Sequence, residues 1–260
     1  MNDDEARYRL PRSVLPRRYD LVLEPDLDAV TFTGSEAVTL EVVEPVDEIV
    51  LNSADLEVGP GRLEGPRGTL EVSTIRLDPE TERVHLLLSG TAEPGEWTLR
   101  LGFGGKLSDQ LQGFYRSTYS DDEGRTHTIA TTQFESTDAR RAFPCWDEPD
   151  LKAVFGVTLV TADGLLAISN GPEIGREDAD GGRVRVRFAD TMPMSTLPPR
   201  RREISTAARS PASPAPRITT SWCGSSAGSS SAPCTCPRVS SRAREATRVR
   251  ATSTADNRLA

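Results

Sequence analysis

Alternating apolar and polar positions cover the chain from about residue 20 to residue 190. Tyr19, Leu21 and Leu23 begin the pattern, and Gly and Pro residues separate the successive runs. A period of two with regular turn signals is typical of an antiparallel β domain, and no segment before residue 137 sustains a helical period. After this first strand, the predicted strands cover 33–43, 48–52, 70–77, 83–88, 97–102, 153–161, 165–170 and 183–188.

The pattern ends at Leu197, where the composition also changes. The 64 residues from Leu197 onward contain 11 Arg, no Lys and three acidic residues, so this stretch carries +8 and the first 196 residues carry −16. Its seven large apolar residues cannot bury enough surface to offset an ordering entropy of about 1–2 kcal/mol per residue. We therefore expect a folded β domain over 1–196 and a disordered Arg/Ser/Pro/Ala-rich tail over 197–260.

Charge, cysteine usage and hydropathy restrict the class of protein. A net charge of −8 argues against a general nucleic-acid binder, because phosphate contacts need an excess of Lys and Arg. Cys145 is the only cysteine before the tail, which gives no disulfide framework and favours a reducing compartment. The N-terminus has no signal-peptide pattern, and no apolar run reaches the roughly 18 residues of a membrane span. We expect a cytoplasmic protein without a membrane partner.

The densest cluster of chemically distinctive residues is TQFESTDARRAFPCWDEP, residues 132–149, called here the signature segment. If its first part is extended, Gln133 and Glu135 lie on one face and Phe134 on the other. A carboxylate beside an amide carbonyl at an exposed edge could receive an ammonium group. From the spacing alone, an ordinary solvent-facing polar pair at a strand end is the favoured interpretation.

The remainder of the signature segment predicts a short helical turn. Thr137 or Asp138 is the expected N-cap of a single turn over 139–143, which the following proline ends. Phe143 and Trp146 are the expected buried anchors of the loop that carries Glu135.

The end of the segment is expected to be structural. Cys145 is interpreted as a small buried residue rather than a nucleophile. Asp147 and Glu148 could form an acidic metal-binding pair, but a surface turn is the favoured interpretation.

The signature segment closely resembles the corresponding block in the N-terminal domain of zinc aminopeptidases of the aminopeptidase N and puromycin-sensitive type. Residues 16–21 (PRRYDL), 113–117 (GFYRS) and 191–196 (TMPMST) resemble further elements of that domain, so the resemblance covers about residues 10 to 196. It implies a large, curved, saddle-like and predominantly antiparallel sheet. It also implies that Gln133 and Glu135 help to hold the free N-terminus of a peptide, from which the intact zinc enzyme releases one amino acid at a time.

The catalytic motifs of that family are missing from these 260 residues. The chain has two histidines, His85 and His127, which are 42 residues apart and do not form His-Glu-x-x-His. The Gly-x-Met-Glu-Asn motif is also absent. We therefore expect no catalytic residue, no metal ligand and no bound cofactor in this chain, which would be an inactive fragment without its catalytic domain. The loss of resemblance at about residue 197 suggests a frameshifted tail.

Two other functions remain open at this point. One is a stand-alone β-sheet module that binds peptide N-termini or a protein partner through the Gln133 and Glu135 edge. The other is a nucleic-acid-associated protein that acts through the Arg-rich tail. The acidic body and the lack of interleaved aromatic residues make this last one the weakest.

Overall fold

A computed structural model places residues 9–196 and the backbone of Ser205–Ala207. All of these residues belong to one compact unit, in which fourteen strands and one 3₁₀ turn (Ala139–Arg141) are described. The strands are β1 (Val14–Asp26), β2 (Thr31–Val42), β3 (Val46–Asn52), β4 (Leu56–Gly65), β5 (Gly68–Asp78), β6 (Arg83–Ala92), β7 (Gly95–Lys106), β8 (Gly113–Ser120), β9 (Thr126–Gln133), β10 (Val154–Ala162), β11 (Leu166–Ile168), β12 (Glu173–Ala179), β13 (Arg183–Phe188) and β14 (Ser205–Ala207).

The strands of the described residues form two sheets. The larger sheet has ten strands in the order β12-β13-β10-β1-β2-β7-β4-β5-β6-β3, and the smaller has four in the order β11-β14-β9-β8. Within them, β1 and β10 pair in parallel, and the other paired strands are antiparallel. The predicted large and predominantly antiparallel β domain is therefore confirmed.

Five of the described strands are absent from the sequence prediction, namely β4, β8, β9, β12 and β14. β4 contains Pro60, which has no backbone N–H to donate to the neighbouring strand. The register of β4 against β7 shifts between Val58 and Gly61, so the proline lies in a β-bulge. In β8, β9 and β12, polar residues occupy most positions and hide the alternation. The apolar period of two is visible only where one face of a strand meets the core.

β14 lies within the stretch for which the sequence predicts disorder. Its three residues pair antiparallel with β11 on one side and with β9 on the other. The other residues of the predicted tail, 197–204 and 208–260, lie outside the described part of the chain. The domain boundary at residue 196 stays a prediction.

The core lies on one face of the larger sheet. On β1, the side chains of Tyr19, Leu21 and Leu23 are each no more than 1% exposed, whereas the alternate positions 20, 22 and 24 are exposed or only partly buried. Phe143 and Trp146 of the signature segment are also buried, as predicted. Each such side chain contributes about 1.5–3 kcal/mol by leaving water. The remaining fully buried large side chains include Phe32, Phe114, Leu10, Leu40, Ile49, Leu51 and Leu63.

A glycine opposite an aromatic residue sets the spacing of β2 and β7. Gly34 is the direct cross-strand partner of Phe103, and a Cβ at Gly34 would lie 2.5 Å from that ring and 2.9 Å from the Val22 carbonyl oxygen. The carbonyl belongs to the neighbouring strand backbone and cannot rotate away. Gly102, on β7, has open space where its Cβ would be.

We expect Gly34→Ala to lower the free energy of unfolding by about 1–3 kcal/mol, because the added methyl overpacks the core against Phe103 and a fixed carbonyl. Urea unfolding followed by circular dichroism measures the loss. Gly102→Ala is the matched control in the paired strand and should change stability by no more than about 0.5 kcal/mol. Equal losses for the two variants would contradict this account.

Candidate functional site

The candidate substrate-binding residues lie at the end of β9 and just after it. Gln133 ends that strand opposite Gly113 of β8 and is half-buried, Phe134 is buried and Glu135 is exposed. The alternation predicted from the sequence is therefore present, with Phe134 turned to the core. In the described part of the chain, the side chains of Gln133 and Glu135 make no hydrogen bond or ion pair to another residue. The structure places Gln133 at the end of β9 and Glu135 two residues further along the chain, and their binding role stays a prediction.

Aromatic side chains of the core pack against the loop that carries Glu135. The Phe134 ring meets Phe143 edge to face at 6.0 Å, and Phe143 meets Tyr19 in the same way at 6.0 Å. Tyr19 is stacked on Phe155 at 4.8 Å. Such pairs add about 0.5–1.5 kcal/mol each beyond their buried area. The packing of Phe134 thus fixes the position of the backbone at the next residue, Glu135.

The predicted turn is a 3₁₀ turn, and its start differs from the prediction. Asp138 occupies the N-cap position, but its side chain does not bond to a backbone N–H of the turn. Its carboxylate instead accepts a hydrogen bond from Arg141 Nε at 3.1 Å. The predicted side-chain cap is therefore wrong, because the charged guanidinium competes for the same oxygens.

Gly113 makes room for this turn where β8 begins. It has φ of +61°, and a Cβ there would lie 2.5 Å from the Cβ of Arg141 and 3.3 Å from the carbonyl oxygen of Asp138. Both the conformation and the close approach favour glycine. The glycine that begins GFYRS therefore lets the turn pack directly on the strand beside Gln133.

A buried ion pair connects the middle of the signature segment to its C-terminal part. Arg140 Nε donates to Asp147 Oδ2 at 3.0 Å, and the Asp147 side chain has no exposed surface. The other carboxylate oxygen accepts from the Thr196 hydroxyl at 2.7 Å, and the Asp147 backbone N–H donates to Asn52 Oδ1 at 3.1 Å. Arg140 also donates to Glu82 at 3.1 Å. The side chain and backbone of Asp147 thus join the 3₁₀ turn, the end of β3 and the last loop before residue 197.

Arg141 extends this network to the neighbouring turns. Its Nη2 donates to Glu82 at 2.6 Å, and its Nη1 contacts the carboxylate of Asp55. Glu82 precedes β6 and Asp55 precedes β4. The two adjacent arginines therefore bind the turns that lead into both of these strands. The sequence alone did not identify Asn52, Glu82 or Thr196 as partners of this network.

The centre of the segment is attached to the core by its backbone. Asn52 and Cys145 exchange backbone hydrogen bonds of 2.8 and 3.0 Å, and the Trp146 N–H donates to the Tyr19 hydroxyl at 3.2 Å. The Cys145 thiol is completely buried, and burial raises its pKa well above the ordinary value. A buried neutral thiol is a poor nucleophile, which supports the structural interpretation of this residue.

The predicted surface turn at Asp147 and Glu148 is wrong, because both residues are buried. Glu148 Oε1 accepts from the backbone N–H of Leu10 at 2.5 Å, and Oε2 accepts from Arg9 at 3.0 Å and Arg12 at 2.6 Å. Their burial is compensated by partners that are remote in sequence. The Asp147 carboxylate binds Arg140 and Thr196, whereas the Glu148 carboxylate binds the N-terminal segment at residues 9–12. The two carboxylates therefore do not form a metal-binding pair.

The two histidines are in different sheets. His85, on β6, has Nδ1 2.9 Å from Glu48, and His127, on β9, has Nε2 2.8 Å from Asp121. Among the described residues, no group of three or more His, Cys, Asp or Glu side chains could hold a metal ion. The residues in this part of the chain do not fit a zinc site.

Comparison with known proteins identifies the domain. The model of the peptidase M1 N-terminal domain matches residues 15–197. The chain belongs to the M1 peptidase family. The match ends within one residue of the position where the composition changes, and it contains the whole signature segment.

Named relatives of this M1 chain are aminopeptidases. Aminopeptidase M1-A of Oryza sativa subsp. japonica is 43% identical over 192 residues, which are 72% of this chain and 22% of the relative. Aminopeptidase M1 of Arabidopsis thaliana is 42% identical over 200 residues, 75% of this chain and 22% of the relative. The alanine/arginine aminopeptidase of Saccharomyces cerevisiae is 38% identical over 196 residues, 74% and 22% respectively.

The M1 chain spans about a fifth of the length of these curated relatives. In the part that the structure describes, no helix is long and apolar enough to cross a membrane.

We expect Arg140→Met to lower the free energy of unfolding by about 3–5 kcal/mol, because the change leaves the Asp147 carboxylate buried without its cation. Urea unfolding measures this loss. The control is Arg17→Met, which removes the exposed pair between Arg17 and Glu41 and should cost no more than about 1 kcal/mol. A small loss at Arg140 would show that the buried pair is not the anchor of the segment.

Proposed function

We propose that this chain is the N-terminal domain of a zinc aminopeptidase, and that Gln133 and Glu135 receive the free amino group of a peptide. The observation that carries the proposal is the exposed end of β9, where these two polar side chains flank the buried Phe134. Membership of the M1 family and the aminopeptidase names of the relatives support the class of substrate.

The chemistry of the two residues suits an ammonium ligand. Glu135 supplies a carboxylate that is exposed and not committed to another described residue, and Gln133 supplies a carbonyl acceptor. Charge-assisted hydrogen bonds to a carboxylate are stronger than neutral ones, whereas an N-acetylated peptide lacks the cation. The pair would therefore select a free N-terminus over a blocked one.

Hydrolysis itself is assigned to residues outside this chain. Zinc in this family supplies a Lewis acid and an activated water, but the described residues offer it no ligand set. The domain would bind and orient the amino end of the substrate beside a catalytic domain. By itself we expect it to bind peptides weakly and to cleave none.

The first test is NMR titration of the ¹⁵N-labelled chain with a short peptide at millimolar concentration, in free and N-acetylated forms. We expect chemical-shift changes at the Gln133 side-chain amide and the Glu135 backbone for the free peptide only. Glu135→Ala should abolish them, whereas Glu80→Ala, at another exposed glutamate, should not. Equal shifts with the acetylated peptide would overturn the assignment of the site.

The same preparation should not hydrolyse aminoacyl-naphthylamides when zinc is added. Turnover that survives purification and is absent from a mock preparation would overturn the proposed inactivity. Binding of free N-termini without turnover is shared by the alternative function, a stand-alone module that binds peptide N-termini or a protein partner, so a second observation must separate them.

We infer that the coding sequence changes frame near codon 197. The family match ends at residue 197, and the Arg-rich composition and reversed charge begin there. Sequencing the gene from about codon 185 and translating all three frames should reveal a frame that resumes a Val-rich strand and later encodes Gly-x-Met-Glu-Asn and His-Glu-x-x-His. If no frame does so, the short chain is genuine and the stand-alone module becomes the function to pursue.

A further inference from the structure

One carboxylic acid of the core has no polar partner. Glu36 lies on β2 between Leu21 of β1 and Leu101 of β7, its direct cross-strand neighbours. The residue is 3% exposed, and both of its carboxyl oxygens are buried without a hydrogen-bond partner. It occupies a position of the alternation that otherwise carries the apolar residues of this strand, such as Val38 and Leu40.

The groups around Glu36 do not offset a negative charge. Tyr19 of β1 and Cys145 of the signature segment are its titratable neighbours, and both are buried. Burial is the largest cause of the raised pKa of Tyr19 and of Cys145, and a negative charge on Glu36 raises both pKa values further. Ionisation of any one of the three groups therefore makes ionisation of the others less favourable. The paired strand β7 contributes the apolar residues Leu99 and Leu101 to the core.

The charged groups of the signature segment are already committed. Asp147 adds a second negative charge beside Tyr19 and Cys145. The Arg140 guanidinium binds Asp147 and Glu82. Burial raises the pKa of Glu36 well above its ordinary value, as expected for a carboxyl group that loses its water and gains no partner.

We infer that Glu36 is a proton-dependent element of this fold, held as a neutral carboxylic acid where the larger sheet packs on the signature segment. Loss of its proton places an unpaired charge in that contact. The signature segment then loosens, because Cys145 and Trp146 pack over the same core as Tyr19. The inference does not depend on the proposed binding of peptides.

The sign of the effect follows from proton linkage. The folded protein retains the Glu36 proton at pH values where the unfolded chain, with a glutamate pKa of about 4.3, has released it. The contribution of Glu36 is therefore fully favourable below the unfolded pKa and is lost as pH rises towards the folded one. Between those two values, each pH unit lowers the folding equilibrium constant about tenfold relative to a chain without this proton.

The test compares the wild type with Glu36→Gln and Glu36→Leu by urea unfolding between about pH 5.5 and 8.5. We expect the ratio of wild-type to Glu36→Gln folding constants to fall about tenfold per pH unit over part of this range. Glu36→Leu should give the same slope, so the result does not depend on how well the glutamine packs. Glu41→Gln, on the same strand but half-exposed and paired with Arg17, should run parallel to the wild type.

Thiol labelling of Cys145 tests whether the contact itself opens. Mass spectrometry of digested protein separates this thiol from the three cysteines of the tail. We expect the labelling rate of wild type relative to Glu36→Gln to rise with pH, since the thiol chemistry cancels in the ratio. Ratios of folding constants and of labelling rates that are both independent of pH would overturn the inference. A changing folding ratio with a constant labelling ratio would reject the loosening of the segment.

Discussion

The arrangement of this domain depends on the burial of one carboxylate. Asp147 has no exposed side-chain surface, and a charge in that position is tolerable only when it is paired and hydrogen-bonded. Arg140 and Thr196 satisfy its two oxygens, and Asn52 accepts from its backbone. These partners come from the 3₁₀ turn, the last described loop and the end of β3. Three regions of the chain therefore meet at one residue, whose charge must be compensated there.

The position of the loop that carries Glu135 depends on the contacts of Asp147. Asp147 fixes Arg140, and the short turn places Phe143 where it meets the ring of Phe134. Phe134 lies between Gln133 and Glu135, and its burial leaves Gln133 half-buried and Glu135 exposed. The polar pair needs no bond of its own to the domain, which leaves its acceptors available to a ligand.

Much of the fold follows from the sequence because a half-buried strand carries its own period. The alternation that begins at Tyr19 predicts β1, and the same alternation predicts the burial of Phe134 between two polar residues. β4 escapes prediction, since Pro60 and two flanking glycines are ordinary turn signals. Their inclusion in a strand depends on the bulge against β7, which is a tertiary feature. A local pattern cannot report on a pairing partner forty residues away.

The burial of Asp147 and Glu148 is hidden from sequence for a related reason. Two adjacent acids before a proline are typical of a surface turn, and only remote partners reverse that expectation. Asn52 is 95 residues from Asp147, and Leu10 is 138 residues from Glu148. The pair at Gln133 and Glu135 is different, because the two residues are neighbours along the chain and their spacing is visible in the sequence.

The same core treats two buried carboxyl groups in opposite ways. Asp147 is surrounded by donors, so its burial strengthens the link between distant segments. Glu36 has only apolar and weakly acidic neighbours, so its burial is tolerable in the protonated form. Cys145 and Trp146 are buried in the same hydrophobic core as Tyr19. The core that supports the Glu135 loop therefore contains a permanent ion pair, Asp147 with Arg140, and a carboxyl group, Glu36, whose burial depends on its proton.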